Sequence, residues 1–211
     1  MSADARHFYG RSALPCKNAE AVLRGAVIKI NPALITLTDG LQDTHSPEAL
    51  RRRVWEAVEL LVTHKIRTFH LDINFGDYSG FGPEPPTTNA ALFTPGFVKR
   101  LNALIRSRDA FLNLHLLTDH PGRRFRDFAH LSLGAVCFQL DAIPNARSLS
   151  QLMQEIQATG ACASPVIETL GTPNLVPRPA PEVFNILQPV LPMIEMLTFQ
   201  TAGTGSRSGS A

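Results

Sequence analysis

Short apolar runs alternate with amphipathic stretches from residue 26 to residue 199. Each run is rich in Val, Ile, Leu or Phe and is bounded by turn-forming residues, which is typical of a β-strand. Six such runs occur, at 26–30, 68–73, 111–116, 135–140, 162–167 and 193–199. Apolar residues at helical spacing follow five of these runs, near 47–62, 97–105, 122–131, 149–160 and 181–187.

The clearest helix boundaries belong to the first and fourth predicted helices. Ser46 followed by Pro47 is a favourable start, because serine caps free backbone N–H groups and proline has none to satisfy. Gly160 is a favourable stop, because glycine readily adopts the left-handed conformation that closes a helix. Behind Pro47, one helical face collects the apolar residues Leu50, Val54, Ala57, Val58, Leu61 and Val62.

The repeated order of strand and helix predicts an α/β fold with a parallel sheet. Nearly continuous apolar strands are expected when helices cover such a sheet. The sequence has no Gly-x-Gly-x-x-Gly turn. We therefore favour a TIM-type (β/α) barrel with about six of its eight βα units in this chain, and an open doubly wound sheet is the alternative. The expected parts are an N-terminal extension at 1–24, the barrel domain at 25–200 and a flexible polar tail at 201–211.

Composition narrows the class of protein. The 211 residues are 44% hydrophobic and 18% charged, with a formal net charge of +2, which is typical of a single globular domain. This charge balance gives no support for nucleic-acid binding or for a membrane-surface role. No apolar stretch approaches the ~20 residues that span a bilayer, and no signal segment is recognisable. We therefore expect a cytoplasmic protein.

Polar residues inside two neighbouring strands are the main candidates for chemistry. Strand alternation places His70, Asp72 and Asn74 on one face of the second run, and His115 lies near the end of the third. Because adjacent strands lie about 4.8 Å apart, the imidazoles and the carboxylate can meet at one cation. Such a ligand set suits Zn²⁺, Fe²⁺, Mn²⁺ or Co²⁺ better than Ca²⁺ or Mg²⁺. The alternative is that each histidine is a hydrogen-bonded core residue.

These motifs resemble those of the ribulose-phosphate 3-epimerase family. The segment 70–74 (His-Leu-Asp-Ile-Asn) resembles the His-x-Asp-x-Met-Asp signature on the family's second strand. The segment 114–117 (Leu-His-Leu-Leu) is similar to the family's His-Leu-Met on strand three. Weaker likenesses follow in order along the chain, in the strand-one segment 29–34, the turn 170–173 and the glycine-rich segment 196–206.

The resemblance implies a metal-dependent epimerase of a ketopentose phosphate. The reaction would be proton transfer at C3 through an enediolate, with a divalent metal ion as cofactor. His70, Asp72 and His115 would be the metal ligands, and Asp72 would also be a catalytic acid/base. The substrate would be a sugar phosphate, and family members are usually homo-oligomers.

The resemblance also implies a set of substrate-binding positions. Asn74 and Leu117 stand where the family has methionines, and Gln139 stands where it has a strand-four histidine. The family's strand-seven aspartate, the second acid/base, has no counterpart, so a non-catalytic metal- or sugar-phosphate-binding paralogue is the alternative. An unrelated metal-dependent lyase or isomerase on the same barrel is a further possibility. The expected substrate-binding residues are Asn74, Leu117, Gln139, Gly171, Gly203 and Gly205.

Overall fold

A computed structural model describes residues 32–38, 41, 45–81, 88–168 and 180–200. The predicted extension at 1–24, the first predicted strand at 26–30 and the predicted tail at 201–211 lie outside these residues. Across the described chain, the strands form a single parallel sheet in sequential order. They are β1 (Thr68–Asn74), β2 (Phe111–Leu117), β3 (Ala135–Gln139), β4 (Cys162–Glu168) and β5 (Thr198–Gln200).

The sheet curls into a half-barrel, which is consistent with part of a TIM-type fold. A doubly wound sheet needs a reversal in strand order, and the described strands have none. One further parallel bridge joins Ala33 to His70, and the His70 N–H donates to the carbonyl oxygen of Pro32 at 3.0 Å. The described residues therefore establish the half-barrel, and the predicted count of six units stays a prediction.

Helices connect the strands. They are α1 (Pro47–Thr63), α2 (Pro95–Arg106), α3 (Pro121–Phe125), α4 (Ala146–Ala158) and α5 (Ala180–Leu187). The predicted caps are confirmed: the Ser46 hydroxyl accepts a hydrogen bond from the N–H of Ala49 at 3.2 Å. Gly160 has a φ of 86° just beyond α4, in the left-handed region that favours glycine. None of the helices in the described residues combines the length and apolar character needed to cross a membrane.

Two predicted boundaries are wrong. The helix expected at 122–131 ends at Phe125, because the chain continues in tight turns in which Phe128 donates to the carbonyl oxygen of Phe125. Phe125, Phe128 and Leu131 recur every three residues and are buried, which suits such turns. The last strand begins at Thr198, because the chain from Gln188 to Met193 forms a 3-10 helix with internal prolines.

The two faces of the sheet differ in polarity. Side chains on the convex face are apolar and pack against the helices, and Phe69, Leu71 and Ile73 of β1 are fully buried there. The concave face carries the polar residues of the strands. Since consecutive residues of a strand point to opposite faces, the same seven-residue strand supplies both the core and the polar face. The polar residues of this face are Thr68, His70, Asp72, Asn74, Asn113, His115, Gln139, Ser164, Glu168, Thr198 and Gln200.

Truncation of the convex-face core should be costly. Phe138 of β3 is fully buried among strand and helix side chains. We expect Phe138→Ala to lower the free energy of unfolding by about 3–5 kcal/mol, because it removes a buried ring and leaves a cavity. Phe184→Ala is the matched control, since Phe184 is 56% exposed and its truncation should cost little. Urea denaturation followed by circular dichroism measures both, and equal losses would contradict the assigned core.

Candidate metal centre

The register of β1 and β2 brings the three predicted ligands together. Asp72 lies directly opposite His115 in the parallel pairing, and His70 lies two residues before Asp72 on the same face. The sheet therefore holds one carboxylate between two imidazoles. Backbone pairing fixes these positions, so no long loop is needed to assemble the group.

Both imidazoles contact the same carboxylate oxygen. Asp72 Oδ1 is 2.8 Å from His115 Nδ1 and 3.1 Å from His70 Nε2. The two rings are tilted at 51° to each other, with their centroids 5.6 Å apart. The second carboxylate oxygen, Oδ2, makes no hydrogen bond within the described residues. Asp72 therefore retains one oxygen for another partner.

The site is buried on one side and open on the other. The side chain of His115 is only 6% exposed, whereas those of His70 and Asp72 are 21% and 19% exposed. Burial acts to raise the pKa of Asp72, but the hydrogen bonds from His115 and His70 outweigh it and hold that pKa well below its usual range. Asp72 is therefore an ionised carboxylate that solvent can reach.

The arrangement fits a divalent cation. One ligand atom from each of the three residues lies within 4.8 Å of the others. Nitrogen and oxygen ligands bound at about 2.1 Å to one cation stand roughly 3.0–3.4 Å apart, close to the separations from Asp72 Oδ1 given above. In addition, His115 Nε2 is buried and has no hydrogen-bond partner within the described residues. Buried polar atoms are usually satisfied, so this imidazole is incompletely satisfied by the protein alone.

The other predicted site residues divide into two groups. Asn74, Leu117 and Gln139 are buried at the carboxyl ends of β1, β2 and β3. The Asn74 side chain accepts a hydrogen bond from the N–H of Gly76 at 2.8 Å, so it shapes the following turn. The Gln139 side chain donates to Gln200 Oε1 at 3.0 Å. The remaining predicted positions lie outside the described residues, and they are Gly171, Gly203 and Gly205.

Tyr78 lies at the mouth of the half-barrel, the end at which the carboxyl ends of the strands meet. The sequence pattern did not single it out. It lies in the loop after β1, is 4% exposed and packs against Leu117. Burial raises its pKa, and the carboxylates of Asp141, Glu168 and Asp119 raise it further. The phenol ring stands so close to Gly80 that a side chain at that position would overlap it. The only available signal was an aromatic residue within a polar, glycine-containing loop.

Cys137 lies on the concave face between His115 and Ser164 in the strand register. Burial, with the charge of Asp72 as the next cause, raises the pKa of this thiol to about 12. Cys137 is therefore a neutral thiol near pH 7, and it packs as a small buried residue. A nucleophilic role is disfavoured because the thiolate is the reactive form.

No protein-family model matches this chain, and no curated protein matches it. The geometry of the site and the strand motifs are therefore the features from which a function can be inferred.

Removal of one imidazole should prevent stable binding of a cation at the candidate metal centre. We expect His115→Ala to lose stoichiometric Zn²⁺, Mn²⁺ or Co²⁺ after metal loading and gel filtration, because two ligands remain from a converging set of three. His130→Ala should retain the metal, since His130 is exposed and outside the group. Elemental analysis of the folded proteins measures the content. Full occupancy in His115→Ala would refute the ligand assignment.

The phenol of Tyr78 should resist ionisation. The sequence contains two tyrosines, so their absorbance changes can be separated. A raised pKa means that Tyr78 stays protonated at a pH at which an unperturbed phenol, with a pKa of about 10, is half ionised. Ultraviolet titration should therefore show a step delayed to higher pH, and Tyr78→Phe should remove that step alone. If Tyr78→Phe instead removed a step near pH 10, about the pKa of an unperturbed phenol, the described burial of Tyr78 would be contradicted.

Proposed function

We propose that this protein is a metal-dependent epimerase that moves a proton at C3 of a ketopentose phosphate. The observation that carries the proposal is the convergence of His70 and His115 on one oxygen of Asp72 at the concave face. The strand motifs that resemble the ribulose-phosphate 3-epimerase family supply the substrate class. A bound cation would supply Lewis-acid polarisation of a substrate carbonyl, which acidifies the neighbouring C–H group.

Asp72 is the proposed proton acceptor on one face of the substrate. Its lowered pKa keeps the carboxylate ionised, and a general base must be in that state to accept a proton. The imidazoles hold Oδ1, so Oδ2 is the oxygen assigned to proton transfer. The contacts of His70 and His115 with Oδ1 orient this carboxylate. With a cation bound, the same two nitrogens would be its ligands in place of these contacts.

Epimerisation needs a second group that returns the proton to the opposite face, and we assign this role to Glu168. Glu168 ends β4 on the concave face and is 6% exposed. Its charge acts on Tyr78, which packs against Leu117 two residues beyond His115. Glu168 shares the concave face with Asp72 and His115, on β4, which β3 separates from β2.

The amides of Gln139 and Gln200 suit a polyhydroxylated substrate. Their side chains meet in a hydrogen bond of 3.0 Å at the carboxyl ends of β3 and β5. A primary amide carries two donors and an acceptor with two lone pairs, so the Gln139 side chain has capacity beyond this one bond. We propose that it orients substrate hydroxyls. The homo-oligomer implied by the resemblance remains part of the proposal, and the 58% exposed Phe199 on β5 supports it.

Binding of metal and sugar phosphate without turnover is the alternative function. The mutual bond between Gln139 and Gln200 favours it, because the polar group at position 139 is held by protein. Isotope exchange separates the two functions. Exchange requires removal of the C3 proton, whereas simple binding leaves that proton in place.

We expect the metal-loaded protein to incorporate deuterium from D₂O at C3 of D-ribulose 5-phosphate with inversion, measured by NMR. Asp72→Asn should slow exchange by roughly 10²–10⁴-fold, the usual contribution of a general base. Glu168→Gln should keep exchange but lose inversion, because Asp72 can return the proton only to the face from which it came. Glu59→Gln, an exposed change on α1, is the control. Absence of exchange with metal bound would refute the epimerase in favour of binding alone.

A further inference from the structure

A cavity opens at the surface between two segments that contain none of the candidate metal ligands. It has a volume of about 360 Å³ and separates two segments that leave the carboxyl ends of β2 and β3. One wall is the segment 120–126, which contains α3, and the other runs from Ala142 to Glu155 in α4. We call this cavity the α3–α4 cleft. It contains none of the three proposed metal ligands, so it is a separate site.

The floor of the α3–α4 cleft is apolar. Pro121, Ile143 and Leu152 line it and are themselves buried. A Cβ atom at Gly122 would stand at an ordinary contact distance of 3.8 Å from Leu152 Cδ1, so a side chain at this position would lie against the floor. The volume falls at the lower end of the range for small-molecule sites, about 300–1,000 Å³, and the cleft is open to solvent on one side.

The rim of the cleft is cationic. Arg123 and Arg126 are exposed, and neither makes an ion pair or a hydrogen bond from its side chain within the described residues. Arg124, between them, instead donates to Asp77 at 2.8 Å and is not part of the lining. Among the described residues, the one acidic side chain that lines the cleft is that of Glu155, whose carboxylate accepts a hydrogen bond from Gln151 at 3.1 Å. Two guanidinium groups therefore face one carboxylate that already has a neutral donor.

The chemistry of the lining selects the ligand. Guanidinium groups match the geometry of phosphate oxygens through paired N–H donors. Ser148 adds a hydroxyl on the facing wall, and this hydroxyl makes no hydrogen bond within the described residues. The buried floor requires an apolar body attached to the anion, because inorganic phosphate alone would leave that surface in contact with water.

We propose that the α3–α4 cleft is an accessory binding site for a small organic phosphate, with Arg123 and Arg126 holding the phosphate and the floor holding the organic group. The proposal does not depend on the metal centre or on epimerase activity. It places a second ligand site between the segments that follow β2 and β3, outside the group of candidate metal ligands.

Calorimetric titration of the full-length, metal-loaded protein with phenyl phosphate tests the proposal. We expect saturable one-site binding, stronger than that of inorganic phosphate, and no binding of phenol. The Arg123→Gln/Arg126→Gln double variant should weaken phenyl phosphate roughly tenfold or more, because hydrogen bonds between charged groups are lost. Arg53→Gln/Arg108→Gln removes the same charge from exposed positions outside the cleft and should bind as the parent does.

Two further variants locate the ligand. Gly122→Leu should abolish binding by filling the floor, and it should not harm folding because leucine is the better helix former. His115→Ala should leave phenyl phosphate binding unchanged. Equal weakening in both arginine double variants would show general charge attraction and overturn the proposal. Loss of binding in His115→Ala, with full binding in Arg123→Gln/Arg126→Gln, would place the anion at the metal centre and also overturn it.

Discussion

The pairing of Asp72 with His115 across β1 and β2 is the constraint on which the candidate site depends. A shift of one residue would turn the polar side chains of one strand toward the helices. The convex face prevents that shift, because Phe69, Leu71 and Ile73 are completely buried and could not face the polar side without exposing apolar surface. Core packing therefore fixes the geometry of the site. A shifted register would therefore lose apolar burial on the convex face and the arrangement of the candidate ligands on the concave face at the same time.

The electrostatics of the concave face follow from this burial. Contacts with two imidazoles hold the pKa of Asp72 low despite its burial, whereas burial and the charge of Asp72 raise the pKa of Cys137 and keep it a thiol. Burial raises the pKa of Tyr78, and the carboxylates of Asp141, Glu168 and Asp119 raise it further. The mouth thus carries negative charge, which attracts cations and repels anions. Under the proposed function, an anionic sugar phosphate would need a bound cation to offset this charge.

The sequence predicts those features that local pattern determines. Alternation of apolar and polar residues gives β1 and its polar face, and Ser46 with Pro47 gives the start of α1. The early end of α3 is harder to predict from the sequence, since a spacing of three residues fits a helix nearly as well as a series of tight turns. The sequence pattern did not predict Tyr78 as a site residue, for a different reason. Its burial depends on contact with Leu117, which is distant in sequence and adjacent only because β1 and β2 pair.

The loops at the mouth are joined to each other as well as to the sheet. Asp119 accepts hydrogen bonds from the backbone N–H and the hydroxyl of Ser79 at 3.1 and 3.0 Å, and Arg124 pairs with Asp77. These bonds hold the loop after β1 against the segment after β2, and so they hold Tyr78 over the concave face. Arg124 therefore supports the rim of the candidate metal centre, while Arg123, beside it on α3, and Arg126, just beyond the helix, line the α3–α4 cleft. This short segment thereby lies between the candidate metal centre and the cleft.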